Sequence, residues 1–393
     1  MPLPLCYCTN VHPCRSAAEV ERVLDAYALP VRERAGFGIA VGLWLPAVAV
    51  DDMRRDASQR SGLRRALDSR GLTCHTLNAF PFGDFHGSRV KEQVYLPDWS
   101  DPRRLDYTAA CARLLADLLP AGVDGSISTL PLGFKQAARG PGFFDEAIAR
   151  LLDMAAVLER VRDETGRTIR LAIEPEPFCL LETTAEVVGF FGRLWDAADA
   201  AGTGRAAREH LGVCYDVCHQ AVEFEDAAAA VGGLRSAGIR INKVQISCAI
   251  QLDDPADAEA RAALAAFAEP KYLHQTMARA ADGRILRAVD LSPALATAPP
   301  DEWLHARPWR THFHVPVDAE RLGPLGTTRA ELRAALAAVA GLDERPHMEV
   351  ETYTWPVLPG VTATDIVDGL ARELVATRDL LASSATPPVT APA

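Results

Sequence analysis

The stretch LGVCYDVCHQ, residues 211–220, joins a short apolar segment to a polar end. Leu211, Val213 and Tyr215 belong to a predicted strand that stops at Asp216, and His219 follows three residues later. An aspartate at the carboxyl end of a strand, followed by a histidine at this spacing, puts a carboxylate oxygen and an imidazole at the same edge. The pattern therefore indicates a metal-binding or proton-transfer corner. The segment alone also allows a structural interpretation, in which Asp216 caps the next helix and His219 lies on its first turn.

Apolar runs of this kind recur along the chain and alternate with stretches of helical periodicity. No glycine-rich dinucleotide fingerprint follows the first of them. Eight alternating strand and helix units predict an α/β fold of the closed (β/α)8 TIM barrel kind rather than a doubly wound sheet. The predicted barrel strands lie at residues 3–8, 37–45, 74–80, 125–130, 168–173, 211–216, 241–247 and 347–355.

The alternation breaks after the seventh strand. Residues 248–308 contain only short helical and extended segments, so we expect an inserted subdomain between the seventh and last strands. The strand WRTHFHVPV, residues 309–317, then carries His312 and His314 at alternate positions. Residues 1–381 are thus expected to form a single barrel with an insertion at about 248–308. The tail, residues 382–393, is rich in Pro, Ala, Ser and Thr and is predicted to be disordered.

The composition is typical of a soluble globular protein, with 49% hydrophobic and 24% charged residues in a chain of 393. A net charge of −11 without a basic stripe argues against a nucleic-acid partner. No apolar run is long enough to span a membrane, and the N-terminus lacks the pattern of a signal peptide, so we expect a cytoplasmic protein without an integral membrane segment. The nine cysteines indicate reduced thiols, and a homo-oligomer is compatible with all of these features.

Polar residues collect at the carboxyl ends of the predicted strands, where (β/α)8 barrels carry their chemistry. Glu174 ends the fifth strand, Asp216 and His219 follow the sixth, Gln245 lies on the seventh and Glu351 on the last. Converging carboxylates repel one another unless a cation or a proton lies between them. A divalent metal ion is the simplest solution. Oxygen ligands suit Mg²⁺ or Mn²⁺, and an added imidazole shifts the preference toward Mn²⁺, Co²⁺ or Zn²⁺.

The order of these residues resembles that of the xylose isomerase-like barrels, a superfamily of sugar isomerases, epimerases and related endonucleases. The resemblance spans nearly the whole chain and rests on the motifs LAIEPEP, CYDVCH and VETYTW. It implies a small hydroxylated or sugar-like substrate and metal ligation by Glu174, Asp216 and Glu351. It also implies that Glu174 and Glu351 flank the substrate as the acid and base of a proton transfer, and that His219 contacts the substrate.

One position departs from the pattern of that superfamily. Its members usually have a histidine as third ligand on the strand after Asp-x-x-His, whereas this chain has Gln245 there. His314, in the segment THFHVP, stands at a distance from Glu351 that is closer to the usual spacing. Either Gln245 is a weak ligand, or the insertion displaces the strand and His314 completes the site. The spacing favours His314.

A second resemblance bears on the biological role. The segments YCTNVHP, VQIS, YLHQ, THFHVP and EVETYTW resemble the barrel proteins of the bacterial ebo metabolite-traffic gene cluster. This resemblance implies handling or export of natural-product precursors and leaves open a barrel that binds a metabolite without turnover. Endonuclease activity needs several metal ions and a basic groove, which an acidic chain disfavours. The candidate substrate-binding residues are Asn10, His12, Asn78, His219 and His274. Asn10 and His12 could instead cap a helix, and His274 and His312 could be either structural histidines or site residues.

Overall fold

A computed structural model describes residues 3–137, 140–362 and 365–384 of the chain. Its strands, in chain order, are β1 (Cys6–Cys8), β2 (Ala40–Trp44), β3 (Thr73–Asn78), β4 (Gly125–Thr129), β5 (Ile169–Ile173), β6 (Leu211–Asp216), β7 (Ile241–Ile246), β8 (Cys248–Leu252), β9 (Thr276–Arg279), β10 (Ile285–Ala288), β11 (Trp309–Val315), β12 (Arg321–Leu322), β13 (Leu325–Thr327) and β14 (His347–Val350). Its α-helices are α1 (Ala17–Val23), α2 (Leu29–Ala35), α3 (Ala47–Arg55), α4 (Ala57–Ser69), α5 (Pro102–Leu118), α6 (Phe143–Thr165), α7 (Thr184–Ala200), α8 (Gly204–His210), α9 (Val217–Val222), α10 (Ala227–Ser236), α11 (Ala258–Ala265), α12 (Pro293–Thr297), α13 (Asp301–His305), α14 (Arg329–Ala340) and α15 (Asp365–Ser384).

Eight parallel strands close into a barrel in the order β1-β14-β7-β6-β5-β4-β3-β2. Closure follows from β1, which pairs with β2 on one side and with β14 on the other. Each of these strands overlaps one of the eight predicted runs, so the predicted (β/α)8 barrel is confirmed. The last strand ends at Val350 rather than at residue 355, because residues 353–357 form a turn and a short 3-10 helix.

Between β7 and β14 the chain forms a second sheet, with the strand order β10-β9-β11-β8-β13-β12. Its pairings are antiparallel, and β11 lies between β8 and β9. The predicted insertion at about 248–308 covers only part of this sheet, because β11, β12 and β13 follow residue 308. That this segment is a subdomain of its own stays a prediction.

The interior of the barrel holds a buried ion pair. Lys243 on β7 places its Nζ 2.8 Å from Oε1 of Glu349 on β14, and both side chains are fully buried. Burial opposes the charge on Lys243, but Glu349 together with the nearby thiols of Cys214 and Cys8 outweighs burial and holds the pKa of the lysine above its usual range. The pair needs Gly42 on β2, because a Cβ there would lie 1.4 Å from Glu349 Oε2. Removing one partner of such a pair would leave an uncompensated charge.

The C-terminal helix α15 reaches Ser384, so residues 382–384, predicted to belong to the disordered tail, are helical instead. Residues 385–393 of the predicted disordered tail lie outside the described residues. Among the helices of the described ranges, none is both long and apolar enough to cross a membrane.

Candidate metal centre

Three carboxylates meet at the carboxyl ends of the barrel strands. Glu174 directly follows β5, Asp216 ends β6 and Glu351 directly follows β14. One oxygen of each lies within 4.8 Å of the others, and all three residues are buried. The backbone holds two of them in register with neighbouring strands, since the Glu174 N–H donates to Thr129 O and the Glu351 N–H to Ile246 O. The strand-end positions predicted from the sequence therefore converge on one point.

The environment of these carboxylates disfavours negative charge. Burial raises the pKa of Glu174 well above its usual value, and the neighbouring Glu351 and Asp216 raise it further. Burial also raises the pKa of Glu351, with Asp216 and Glu349 as additional causes. Oε2 of Glu174 and Oδ2 of Asp216 are buried and have no hydrogen-bond partner among the described residues. Buried acceptors normally have a hydrogen-bond partner, so these oxygens are suited to ligate a cation instead.

The two oxygens of Asp216 have different surroundings. Oδ1 accepts a hydrogen bond of 2.9 Å from the His219 N–H, which caps helix α9, and another of 2.9 Å from the Ser247 hydroxyl. Oδ2 accepts none from the described residues and lies 3.9 Å from Nε2 of His219 and 3.9 Å from Nε2 of His314. The capping interpretation of the sequence therefore holds for one oxygen, while the second oxygen stays available to a metal ion.

Both candidates for the further ligand lie at the site. His314 Nδ1 is 2.8 Å from the Glu351 carbonyl oxygen, which can only accept, so Nδ1 carries the hydrogen and Nε2 presents its lone pair. That Nε2 is buried, has no hydrogen-bond partner in the described part of the chain and lies 3.9 Å from Asp216 Oδ2. Burial lowers the pKa of His314 to about 4, which keeps the imidazole in its metal-binding, neutral form. Gln245 is paired with Asp216 across β6 and β7, and both polar atoms of its side chain are also unpartnered.

A second group of ligand-type atoms adjoins the first. Glu176, His219 and His312 bring one atom each within 4.8 Å of the others. Nδ1 of His219 donates to Pro175 O at 2.8 Å, and Nδ1 of His312 lies 2.8 Å from Gln275 Oε1. If both Nδ1 atoms carry the hydrogen, both Nε2 atoms present a lone pair, and these two atoms lie 3.1 Å apart. A proton or a cation between them would relieve the repulsion of the lone pairs.

Sequence reasoning left open whether His312 is structural or belongs to the site. A usable signal was its position two residues before His314 on one strand, because alternate residues share a face of a strand.

A pocket opens above the three carboxylates, and several predicted residues line it. Asn10 and Asn78 each donate a side-chain hydrogen bond to Glu351 Oε1, at 2.7 and 2.8 Å. Both asparagines line the pocket together with His219 and His314. The amide donors fix the orientation of Glu351 and leave its Oε2 without a hydrogen bond from any described residue.

Two predicted substrate-binding residues do not line this pocket. His12 is buried and stacks on Tyr27 with the ring centroids 3.8 Å apart. His274 is buried in the six-stranded region, where Nε2 lies 2.8 Å from Glu269 Oε1 and Nδ1 lies 3.0 Å from His312 O. Sequence reasoning could not separate these histidines from His219, because all of them follow or interrupt apolar segments.

No protein-family model matches the chain, and no curated protein sequence matches it. Solved structures do match. A xylose isomerase-like TIM barrel protein from Mycobacterium smegmatis, solved in complex with magnesium, is 14% identical, with a TM-score of 0.53 over 98% of each chain. An L-ribulose 3-epimerase is 12% identical, with a TM-score of 0.50 over 98% of this chain and 95% of the epimerase. A candidate sugar phosphate isomerase/epimerase from Anabaena variabilis is 14% identical, with a TM-score of 0.52 over 98% of this chain and 100% of the Anabaena chain.

At these identities the likeness concerns the fold alone. The comparisons give no support to the resemblance to the ebo barrel proteins, which stays a prediction. Together with the barrel order and the strand-end carboxylates, the structural likenesses show that this chain has the fold of a (β/α)8 barrel of the xylose isomerase-like type.

Proposed function

We propose that the chain is a divalent-metal-dependent isomerase or epimerase that moves a proton on a small hydroxylated metabolite. The observation that carries the proposal is the convergence of Glu174, Asp216 and Glu351 beside a pocket that Glu174 and Glu351 line. Glu174 and Asp216 each have a buried oxygen without a hydrogen-bond partner among the described residues. The three-carboxylate order of the superfamily and the fold of its sugar epimerases and isomerases support the same reaction class.

The residues present fit a divalent metal ion. Ligand atoms within 4.8 Å of one another are compatible with metal to oxygen bonds of about 2.0 to 2.6 Å. We assign Glu174, Asp216 and Glu351 as ligands, with His314 as the preferred fourth ligand and Gln245 as the alternative. Mn²⁺, Mg²⁺, Zn²⁺ and Co²⁺ all suit such a mixed set. When bound, the ion supplies stabilisation of negative charge on the oxygens of a hydroxy-carbonyl substrate.

The proton transfer falls to two carboxylates on different sides of the barrel mouth. Glu174 follows β5 and Glu351 follows β14, and the strands β6 and β7 lie between them. A substrate carbon between the two can lose its proton to one carboxylate and receive a proton from the other. The environment of both acids favours proton uptake, as their raised pKa values indicate. His219, whose Nδ1 donates to Pro175 O, lines the pocket, and we assign it a contact with the substrate.

A second candidate function is a barrel that binds and releases a metabolite without turnover. The observation that favours it is Gln245, which occupies the strand position where the superfamily usually has histidine. A neutral amide oxygen binds late first-row metals more weakly than an imidazole does. This alternative agrees with the predicted place in bacterial metabolite traffic. A cytoplasmic location, in line with nine buried free cysteines, suits both functions.

Hydrogen exchange in D₂O separates the two functions. Metal-loaded protein is incubated with α-hydroxy ketones of different substituents, namely dihydroxyacetone, D-fructose and phenylacetylcarbinol, and loss of the C–H signal next to the carbonyl is followed by NMR. We expect exchange with at least one of them, and a loss of about 100-fold or more in Glu174→Gln and Glu351→Gln, since a positioned acid or base contributes about 10²- to 10⁴-fold. Glu164→Gln, an exposed acid on α6, is the control. Binding without any exchange would favour the carrier.

A further inference from the structure

We propose, on the basis of the proposed function, that the substrate is an unphosphorylated hydroxy-carbonyl compound with an aromatic or other apolar substituent, rather than a free sugar or a sugar phosphate. The proposal comes from the division of the pocket into a polar floor and an apolar wall. The floor carries Glu174, Glu351, His219 and His314. The wall is built mainly from apolar side chains on the loops beyond the strands, which include Phe85, Val90, Val94, Tyr272, Leu273 and Tyr353.

Three rings of the wall form one continuous surface. The ring centroids of Phe85 and Tyr272 are 5.0 Å apart, those of Phe85 and Tyr353 are 5.3 Å apart, and those of Tyr272 and Tyr353 are 5.0 Å apart. Tyr353 also lies next to His314 on the floor, with the centroids 4.8 Å apart. A substrate whose reactive end is at the carboxylates therefore meets aromatic surface with the rest of its body. Aromatic walls of this kind favour aromatic or apolar groups over hydrated ones.

Two of the three tyrosine hydroxyls at the pocket are already used by the protein. The Tyr272 hydroxyl donates to Phe85 O at 3.3 Å, and the Tyr95 hydroxyl donates to Glu176 Oε1 at 2.7 Å. A polyol has a hydroxyl on every carbon, and each hydroxyl buried against this wall would lose water without gaining a partner. A compound with one hydroxy-carbonyl group and an apolar body loses no such hydrogen bonds.

The charges around the pocket disfavour a phosphate group. Among the described residues that line it, Lys91 is the only lysine or arginine. Its Nζ lies 2.6 Å from Asp290 Oδ2 and 3.1 Å from Glu269 O, so its charge is already compensated. The floor adds the carboxylates of Glu174 and Glu351. Apart from the proposed metal ion, whose charge the carboxylates already balance, a phosphate dianion would thus find no free lysine or arginine in this lining.

Matched ligand pairs test the proposal, with the Mn²⁺-loaded full chain and dissociation constants from calorimetry. Phenylacetylcarbinol and acetoin share the hydroxy-ketone group and differ by a phenyl ring in place of a methyl group. We expect phenylacetylcarbinol to bind about 10-fold or more tightly than acetoin, and dihydroxyacetone to bind about 10-fold or more tightly than its phosphate. Phe85→Leu should reduce the first ratio at least threefold, whereas Phe144→Leu, outside the pocket, should leave it unchanged.

Tighter binding of D-fructose than of phenylacetylcarbinol, or tighter binding of the phosphate than of dihydroxyacetone, would overturn the proposal. A phenyl preference that survives Phe85→Leu unchanged would overturn it as well. Hydrogen exchange of the same ligands in D₂O is the separate test of the proposed function. If the phenyl preference is found and no ligand exchanges its C–H, the ligand class stands and the isomerase function fails.

Discussion

The two oxygens of Asp216 should separate metal binding from folding. Asp216→Asn keeps an oxygen that can accept from the His219 N–H and the Ser247 hydroxyl, but replaces Oδ2 by an amino group. Asp216→Ala removes both functions. Ionised carboxylates within 4.8 Å of each other repel by about 3 kcal/mol at an effective dielectric constant of about 20. The metal-free Asn variant should therefore be as stable as the parent or more stable, by up to about 3 kcal/mol.

The Ala variant loses the helix cap, which costs about 0.5 to 2 kcal/mol. It also leaves the Ser247 hydroxyl with only the Gln245 carbonyl oxygen, 3.4 Å away, as an acceptor. We expect it to unfold at a lower urea concentration than the Asn variant when both are measured in EDTA. Mn²⁺ titration should show a loss of more than about 100-fold in affinity for both variants, since even the loss of a group that only supports a ligand costs about 10- to 100-fold. Parental Mn²⁺ affinity in Asp216→Asn would refute the assignment of Oδ2 to the metal, and equal stability of the two variants would refute the capping role.

Three further predictions concern the metal ligands, a buried acid and the buried ion pair between Lys243 and Glu349. His314→Gln should weaken Mn²⁺ binding far more than Gln245→Ala if the imidazole is the ligand; the reverse order in parallel titrations would assign the amide instead. Burial raises the pKa of Glu373 from 4.5 to about 7, so the native state holds this proton more tightly than the unfolded chain does. Below pH 4.5 this difference adds about 3 kcal/mol to the free energy of unfolding, and the addition should be lost as the pH rises to 7. Urea unfolding at both pH values should show a smaller loss in Glu373→Gln, and an unchanged loss would contradict the shift. Gly42→Ala should lower the free energy of unfolding by about 3 kcal/mol or more, because the new Cβ displaces the buried Glu349 carboxylate from Lys243. Gly189→Ala, on an open helix face, is the control and should be neutral or stabilising by up to about 1 kcal/mol when both variants are measured by thermal unfolding.

The barrel was predictable because each of its strands is a short apolar run followed by a polar end. Parallel strands are buried on both faces, so their runs stand out from the amphipathic helices between them. The same logic predicted that Glu174, Asp216 and Glu351 would meet, since the carboxyl ends of all strands in a closed barrel lie on one rim. The structure places them there.

The histidines were harder to place because long-range packing positions them. His314 reaches the site from β11, which belongs to the six-stranded sheet and not to the barrel. No local pattern states where that sheet packs, and the sequence interval to Glu351 was the only available guide. His12 shows that a position after a barrel strand does not by itself place a side chain in the pocket. It follows a barrel strand, as the site residues do, but its ring stacks on Tyr27 and does not line the pocket.

The central claim is that one divalent cation binds between the strand-end carboxylates, and anomalous diffraction tests it most directly. Crystals grown with Mn²⁺ are measured on both sides of the manganese absorption edge. We expect a strong anomalous peak within about 2.0 to 2.6 Å of oxygens from Glu174, Asp216 and Glu351. Crystals with Mn²⁺ in excess that show no peak at these carboxylates, or a peak only at surface acids, would contradict the account.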